Sequence, residues 1–191
     1  MDFMDINQLI ASRVLTLRNA RGYSLAALAE RSGVSRSNIS LIERGESSAT
    51  ATVLDKLAGA LGVTLASLFE ADDAAPSPLS TREQQPVWTD PASGYTRRQL
   101  SPGVRSPMQL VEVVFPPGRR VSYDQTPHGA DIHQQVWLLE GEIIVTAGEQ
   151  QWHLRAGDCV AFREGPHIAY ENPGATPARY LVSLVTLPFA L

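Results

Sequence analysis

Residues 24–45 read SLAALAERSGVSRSNISLIERG, and their spacing decides the first half of the chain. Ser24 stands where a helix N-cap belongs, and Leu25, Leu28 and Ala29 fall on one inward face after it. Gly33 supplies a tight turn, and Ser35 is a second N-cap. Val34, Ile39 and Ile42 are spaced to pin the second helix to a core, and Gly45 ends it. Upstream, INQLIASRVLTLRNARG (6–22) places Ile6, Leu9, Ile10, Val14 and Leu17 at three- and four-residue intervals, one apolar stripe closed by Gly22. Downstream, TATVLDKLAGALG (50–62) and TLASLFE (64–70) add two more helical runs. The spacing predicts five short helices in about 70 residues.

Residues 71–86, ADDAAPSPLSTREQQP, mix charges, alanine, serine and proline without periodicity and read as a linker. The apolar period then falls to two. MQLVEVVF (108–115), QQVWLLEG (134–141), EIIVTAG (142–148), QQWHLRAG (150–157), DCVAFREG (158–165) and ARYLVSLVTL (178–187) are short strand-like runs between turn residues. Such spacing predicts a sandwich or barrel.

The chain has 191 residues, 43% of them apolar, enough for one large or two small packed domains. Net charge is −4, which gives no overall basic field. Residues 1–69 hold 7 basic and 6 acidic side chains, so the acidic excess lies in the second half. A near-neutral half still binds nucleic acid where its arginines share one face. The single cysteine, Cys159, excludes an internal disulfide and a cysteine-rich zinc site, and reads as a small buried strand residue. No apolar run reaches the length of a membrane span. MDFMDINQLI has early acids and no cationic segment, so a cytoplasmic location without membrane association is expected.

The 24–45 unit has the grammar of a helix-turn-helix. The face of its second helix left free of the core carries Arg36, Ser37, Ser40 and Leu41, with Asn38 beside them. Short polar side chains and an arginine near a helix N-terminus suit base edges in a major groove. The helix N-termini at Ser24 and Ser35 are free to receive phosphates. A helical bundle that binds protein is the alternative, and the flanking Arg36 and Arg44 favour DNA. The stretch from Tyr23 to Phe69 resembles the helix-turn-helix of XRE-type, phage-repressor-like regulators, through LAERSGVS, ISLIERGE and ALGV in register. The resemblance implies that Arg36, Ser37 and Leu41 face bases, and that Ser35, Asn38 and Arg44 hold phosphates. Leu41 departs from the polar residue many relatives carry there. One such domain reads a half-site, so a homodimer on a double-stranded operator is expected.

The second half resembles a cupin, through VWLLEGE, LRAGDCVAF, GPHIAYENPG and ARYLVSLV across roughly 107–187. The whole chain then resembles the XRE-cupin regulators. The expectation is an α+β two-domain protein. A five-helix bundle over 1–70 is followed by the 71–86 linker and a double-stranded β-helix barrel over 87–191 that senses a small molecule and dimerises. Carried over from the cupin pattern, the first histidine position of the metal site falls on His128 and the second on Ala130, where it is lost. The glutamate position falls on Gln134 and the last histidine on His167. Alternation along the strand places Val136 and Leu138 on the same side as Gln134, and His133, Gln135 and Trp137 on the other. His133 and His153 therefore read as surface residues, His153 without an acidic or histidine neighbour.

His128, Gln134 and His167 are the candidate ligand-binding set. They are also the candidate ligands for a divalent zinc, iron or nickel ion, because imidazoles suit these metals. The glutamine adds no charge, so a metal-free polar pocket and a closed, fully packed barrel mouth stand beside the metal reading. No Ser-His-Asp or Cys-His set and no phosphate-cradling glycine loop is present. The expected function is a non-enzymatic transcriptional regulator whose barrel senses a small polar metabolite, such as an amino acid. A metal-dependent cupin dioxygenase or isomerase with a DNA-binding domain is the first alternative. A constitutive repressor with a purely dimerising barrel is the second.

Overall fold

The computed structural model describes residues 6–70, 77–104, 106–124, 131–165 and 167–187. Four α-helices open the chain: α1 (Ile6–Ala20), α2 (Leu25–Ser32), α3 (Arg36–Glu43) and α4 (Ala51–Leu61). The fifth expected helix is a single 3-10 segment, Leu65–Phe69, which corrects the five-helix reading. Its five residues allow little more than one turn; Thr64 caps it and Glu70 returns to extended backbone.

The caps form as their residue types require. Ser24 Oγ accepts from Ala27 N–H, Ser35 Oγ from Asn38 N–H and Thr50 Oγ1 from Val53 N–H. Gly33, at φ 68°, takes the left-handed turn between α2 and α3. Leu28, Val34, Ile39 and Ile42 are buried, so α3 lies on α1 and α2 by the face the spacing assigns.

Ten strands follow: β1 (Val87–Thr89), β2 (Thr96–Gln99), β3 (Met108–Phe115), β4 (Arg120–Asp124), β5 (Asp131–Glu140), β6 (Glu142–Ala147), β7 (Gln150–Arg155), β8 (Cys159–Arg163), β9 (His167–Glu171) and β10 (Ala178–Leu187). They form a six-stranded sheet, β1-β2-β3-β10-β5-β8, and a four-stranded sheet, β4-β9-β6-β7. Every pairing is antiparallel. Gly141, at φ 80°, makes the turn from β5 into β6 and leaves no room for a Cβ against the Pro177 carbonyl. The sequence reading had no separate strands at β1, β2, β4 and β9.

On β5, Ile132, Gln134, Val136 and Leu138 are buried while His133, Gln135 and Trp137 are exposed, as alternation demands. The same rule corrects Cys159. Its neighbour Val160 points inward, so Cys159 is exposed, level with exposed Trp137 on β5. Asn172, fully buried, donates to the carbonyls of Phe115 and Thr176 and accepts from Gly174 N–H, holding the chain between β9 and β10.

The helices and the barrel share one apolar core. Phe69 packs on Trp88, Trp88 on Tyr95 and Tyr95 on Phe115, with ring centroids 5.4–5.8 Å apart. Such pairs contribute about 0.5–1.5 kcal/mol each beyond area burial. The N-terminus of α4 is fastened to the β half by the buried Asp90, whose Oδ1 accepts from Ala51 N–H at 2.9 Å. The other carboxylate oxygen of Asp90 accepts from the backbone and hydroxyl of Ser93. Thr52 adds a hydrogen bond from its hydroxyl to the Ser122 carbonyl on β4.

Candidate functional site

The first site is the outer face of α3. Arg36, Ser37 and Leu41 are exposed on it, and Ser40 and Asn38 are half-buried beside them. Arg36 makes no hydrogen bond or ion pair with a described residue, so its guanidinium is free to meet a partner. Leu41 is 38% exposed, an apolar patch amid polar neighbours. Arg44 is differently placed. Its guanidinium donates to both carboxylate oxygens of Glu46, at 2.9 and 2.8 Å, and to Ser40 Oγ. The Arg44 hydrogen bond holds the Glu46 carboxyl below its usual range.

A contact the sequence did not disclose sets the pose of α3. Arg18 on α1 donates two hydrogen bonds to Glu43 at the end of α3, at 2.6 and 2.8 Å, and a third to the Tyr23 carbonyl. Both side chains of the pair are largely buried. The bidentate geometry fixes the rotation of α3 about its axis as well as its distance from α1.

The second site is a cavity of about 80 Å³ inside the barrel. That is room for several waters or a small polar molecule. Its apolar wall comes from β3, β4, β9 and β10, including Val113, Phe115, Val121, Ile168 and Val182. The polar wall holds Tyr95, Arg97, Tyr123, Gln134, Glu164, Tyr170 and Tyr180. The remaining wall belongs to the helical half: Asp55 on α4, with Thr64, Leu65 and Ala66. The helical bundle therefore forms part of the barrel's pocket.

Gln134 is in this cavity, and both ends of its amide are engaged. Its nitrogen donates to Glu164, and its oxygen accepts from the Tyr170 hydroxyl at 3.1 Å. Tyr95 and Tyr123 share a hydrogen bond of 2.9 Å. Burial pushes the Tyr95 hydroxyl up to about 12 and those of Tyr123, Tyr170 and Tyr180 well above their usual range. All four stay protonated and neutral at physiological pH, able to donate and accept hydrogen bonds.

His167 is not among the residues lining the cavity. Its Nδ1 lies 2.8 Å from Asp124 Oδ1 at the end of β4. His128 lies outside the described residues. His133 is exposed, 3.3 Å from Asp131. His153 is also on the surface, but it does have an acidic neighbour: Glu142 Oε2 lies 2.7 Å from its Nε2, across the β6–β7 pair. Cross-strand proximity brings together residues eleven apart in sequence, which corrects the expectation of an isolated histidine.

The candidate donor set is divided among the described residues: Gln134 lines the cavity and His167 does not. Among the described residues, no three His, Cys, Asp or Glu side chains converge on a metal-sized space. The Gln134 carbonyl accepts one hydrogen bond, from Tyr170, and Asp124 engages Nδ1 of His167.

Two charged residues that the sequence reading missed dominate the cavity. Arg97 on β2 is 7% exposed, and its Nε has no hydrogen-bond partner. Its guanidinium carbon stands 4.5 Å above the Phe69 ring. Burial pulls the guanidinium below its usual pKa, while Tyr95, Tyr123, Tyr180 and Tyr170 around it act the other way. Asp55 is 4% exposed, and no hydrogen bond or salt bridge joins it to a described residue. Burial, then the charges of Glu164 and Asp124, push its carboxyl up to about 7, against the pull of Lys56. A sequence signal for Asp55 exists: it sits four residues after Ala51 and three before Ala58, inside the buried stripe of α4. Arg97 gives none, because Thr-Arg-Arg-Gln carries no apolar alternation.

Comparison with known proteins agrees with both halves. A helix-turn-helix family model matches residues 14–68 and a cupin-domain model matches residues 111–184. The HTH-type transcriptional regulator PuuR of Escherichia coli K12 is 27% identical over 172 residues, covering 88% of this chain and 90% of PuuR. The control protein C.SmaI of Serratia marcescens is 39% identical over 67 residues, covering 35% of this chain and 80% of that protein. The crystal structure of an HTH_3 family transcriptional regulator from Vibrio cholerae superimposes with a TM-score of 0.73 at 26% identity, covering 96% of this chain and 98% of that one. The chain belongs to the XRE-type helix-turn-helix transcriptional regulators that carry a C-terminal cupin domain.

Proposed function

We propose that this DNA-binding regulator responds to a small polar metabolite that occupies the barrel cavity. The observation that carries the reading is the buried Arg97, unpaired at Nε, in the wall of a cavity that α4 also lines. A buried guanidinium left short of partners costs free energy, and a bound molecule that satisfies it recovers that cost. An occupant that also touches α4 acts on the helical half directly. It shifts operator affinity to the extent that it binds the two placements of that half unequally.

In this reading Arg36, Ser37 and Leu41 meet base edges. Ser24, Ser35, Asn38, Ser40 and Arg44 line the phosphate backbone, Arg44 exchanging its Glu46 partner for a phosphate oxygen. The protein works as a homodimer, since one such helix reads one half-site. The exposed side of the six-stranded sheet, with Trp137 at 48% exposure and Met108 and Val114 also exposed, supports a pairing surface there.

A thermal-shift survey of metabolites on the full chain, followed by operator binding with each hit, tests the reading. At least one compound raises Tm and changes operator affinity. An operator affinity indifferent to every stabilising compound would leave a constitutive repressor with a dimerising barrel.

A further inference from the structure

The charges in the cavity are laid out for an occupant with two unlike ends. Arg97 enters from β2, between β1 and β3 in the six-stranded sheet, and rests on Phe69. Asp55 enters from α4, on the side where Glu164 and Asp124 raise the negative potential. Both face the same cavity, yet no salt bridge joins them, although opposite charges buried together in low dielectric attract strongly. A molecule in the cavity can meet both groups. A purely anionic molecule would satisfy Arg97 and face Asp55 and Glu164. A purely cationic one would satisfy the carboxylates and leave Arg97 unpaired.

We infer that the effector is a small amino carboxylate, its carboxylate on Arg97 and its ammonium at the Asp55–Glu164 side of the cavity. The inference rests on the effector reading above and names the class of molecule. The guanidinium offers paired N–H donors of the kind a carboxylate accepts in bidentate fashion. Asp55 supplies an acceptor for the ammonium, and the nearby Tyr95 adds an aromatic face. Glu164 keeps its hydrogen bond from Gln134 and adds negative charge. An amino carboxylate held in this way bridges the barrel to α4, so its binding ties the helical half to one placement.

Isothermal titration of the full chain with three sets of probes tests this. The first set is the α-amino acids together with β-alanine, γ-aminobutyrate and 5-aminovalerate. The second is the matching acids without an amine, such as butyrate, and the third the matching amines without an acid, such as butylamine. At least one amino carboxylate binds, and removing either end weakens it at least tenfold. Arg97→Met abolishes that binding and improves the relative affinity of the matching amine. Asp55→Asn weakens the amino carboxylate and improves the relative affinity of the matching acid. This exchange of preference is a result that misfolding cannot produce, and Arg97→Lys, which keeps the charge, retains part of the binding. A one-ended probe that binds as well as its two-ended partner overturns the amino-carboxylate inference and leaves the effector reading standing. Binding by no compound here or in the wider metabolite survey overturns both.

Discussion

Asp55, buried on α4, couples the stability of the fold to pH. Its carboxyl is raised from 3.8 to about 7 in the folded protein, chiefly by burial. The folded state thus holds this proton more tightly than the unfolded chain. Its contribution to stability is fully present below pH 3.8 and is lost as pH rises to about 7. Asp55→Asn removes this dependence. Denaturant titrations should find the variant equal to the parent near pH 4 and more stable at pH 8, by up to about 4 kcal/mol. A stability difference that does not change with pH would show that Asp55 keeps an ordinary carboxylate pKa. The residue-level part of the cavity was poorly legible in the sequence for a physical reason. Gln134 could be found because it occupies a strand position whose side is fixed by alternation. Arg97 and Asp55 could not be assigned to a cavity, because what joins them is the docking of α4 on the barrel.

At the scale of elements, helices with caps and core-facing stripes were legible almost to the residue, as α2 and α3 demonstrate. Strands with apolar alternation, such as β3 and β10, were equally clear. Strand β2 was not, because Thr96–Gln99 is polar on both faces, its buried residues being Arg97, which lines the cavity, and Gln99. The Arg18–Glu43 clamp was hidden because its partners lie twenty-five residues apart on different helices. The recognition role proposed for α3 yields a direct comparison. Arg36→Ala should reduce discrimination against a mismatched base pair by about 1–3 kcal/mol, while Arg44→Ala weakens all sequences alike and lowers the salt slope by about 1. Binding assays on operator variants at several salt concentrations measure both, and equal loss of preference in the two variants would reverse the assignment. The docking of α4 makes a separate prediction. Asp90→Ala removes the buried acceptor of Ala51 N–H and should destabilise the protein by about 1–2 kcal/mol, read as a lower denaturation midpoint. An unchanged midpoint would mean that Asp90 does not hold α4 to the barrel.

Across the whole molecule, the division into a helical half and a barrel describes the chain's order better than its energetics. The core runs unbroken from Ile10 to Leu184 through Phe69 and Trp88. In the proposed effector reading, a signal to the helical half needs no long path, since α4 is itself a wall of the cavity. The polar groups of the cavity are tyrosines, the Gln134 amide, the Arg97 guanidinium and the Asp55 and Glu164 carboxylates, groups suited to orienting a bound molecule. The most direct test is operator affinity measured with and without the amino carboxylate that binds most tightly, in the parent and in Arg97→Met. The account predicts a change of at least fivefold in operator Kd for the parent and none for Arg97→Met, which would still bind operator. An operator Kd that responds equally in both proteins, or in neither, would contradict it.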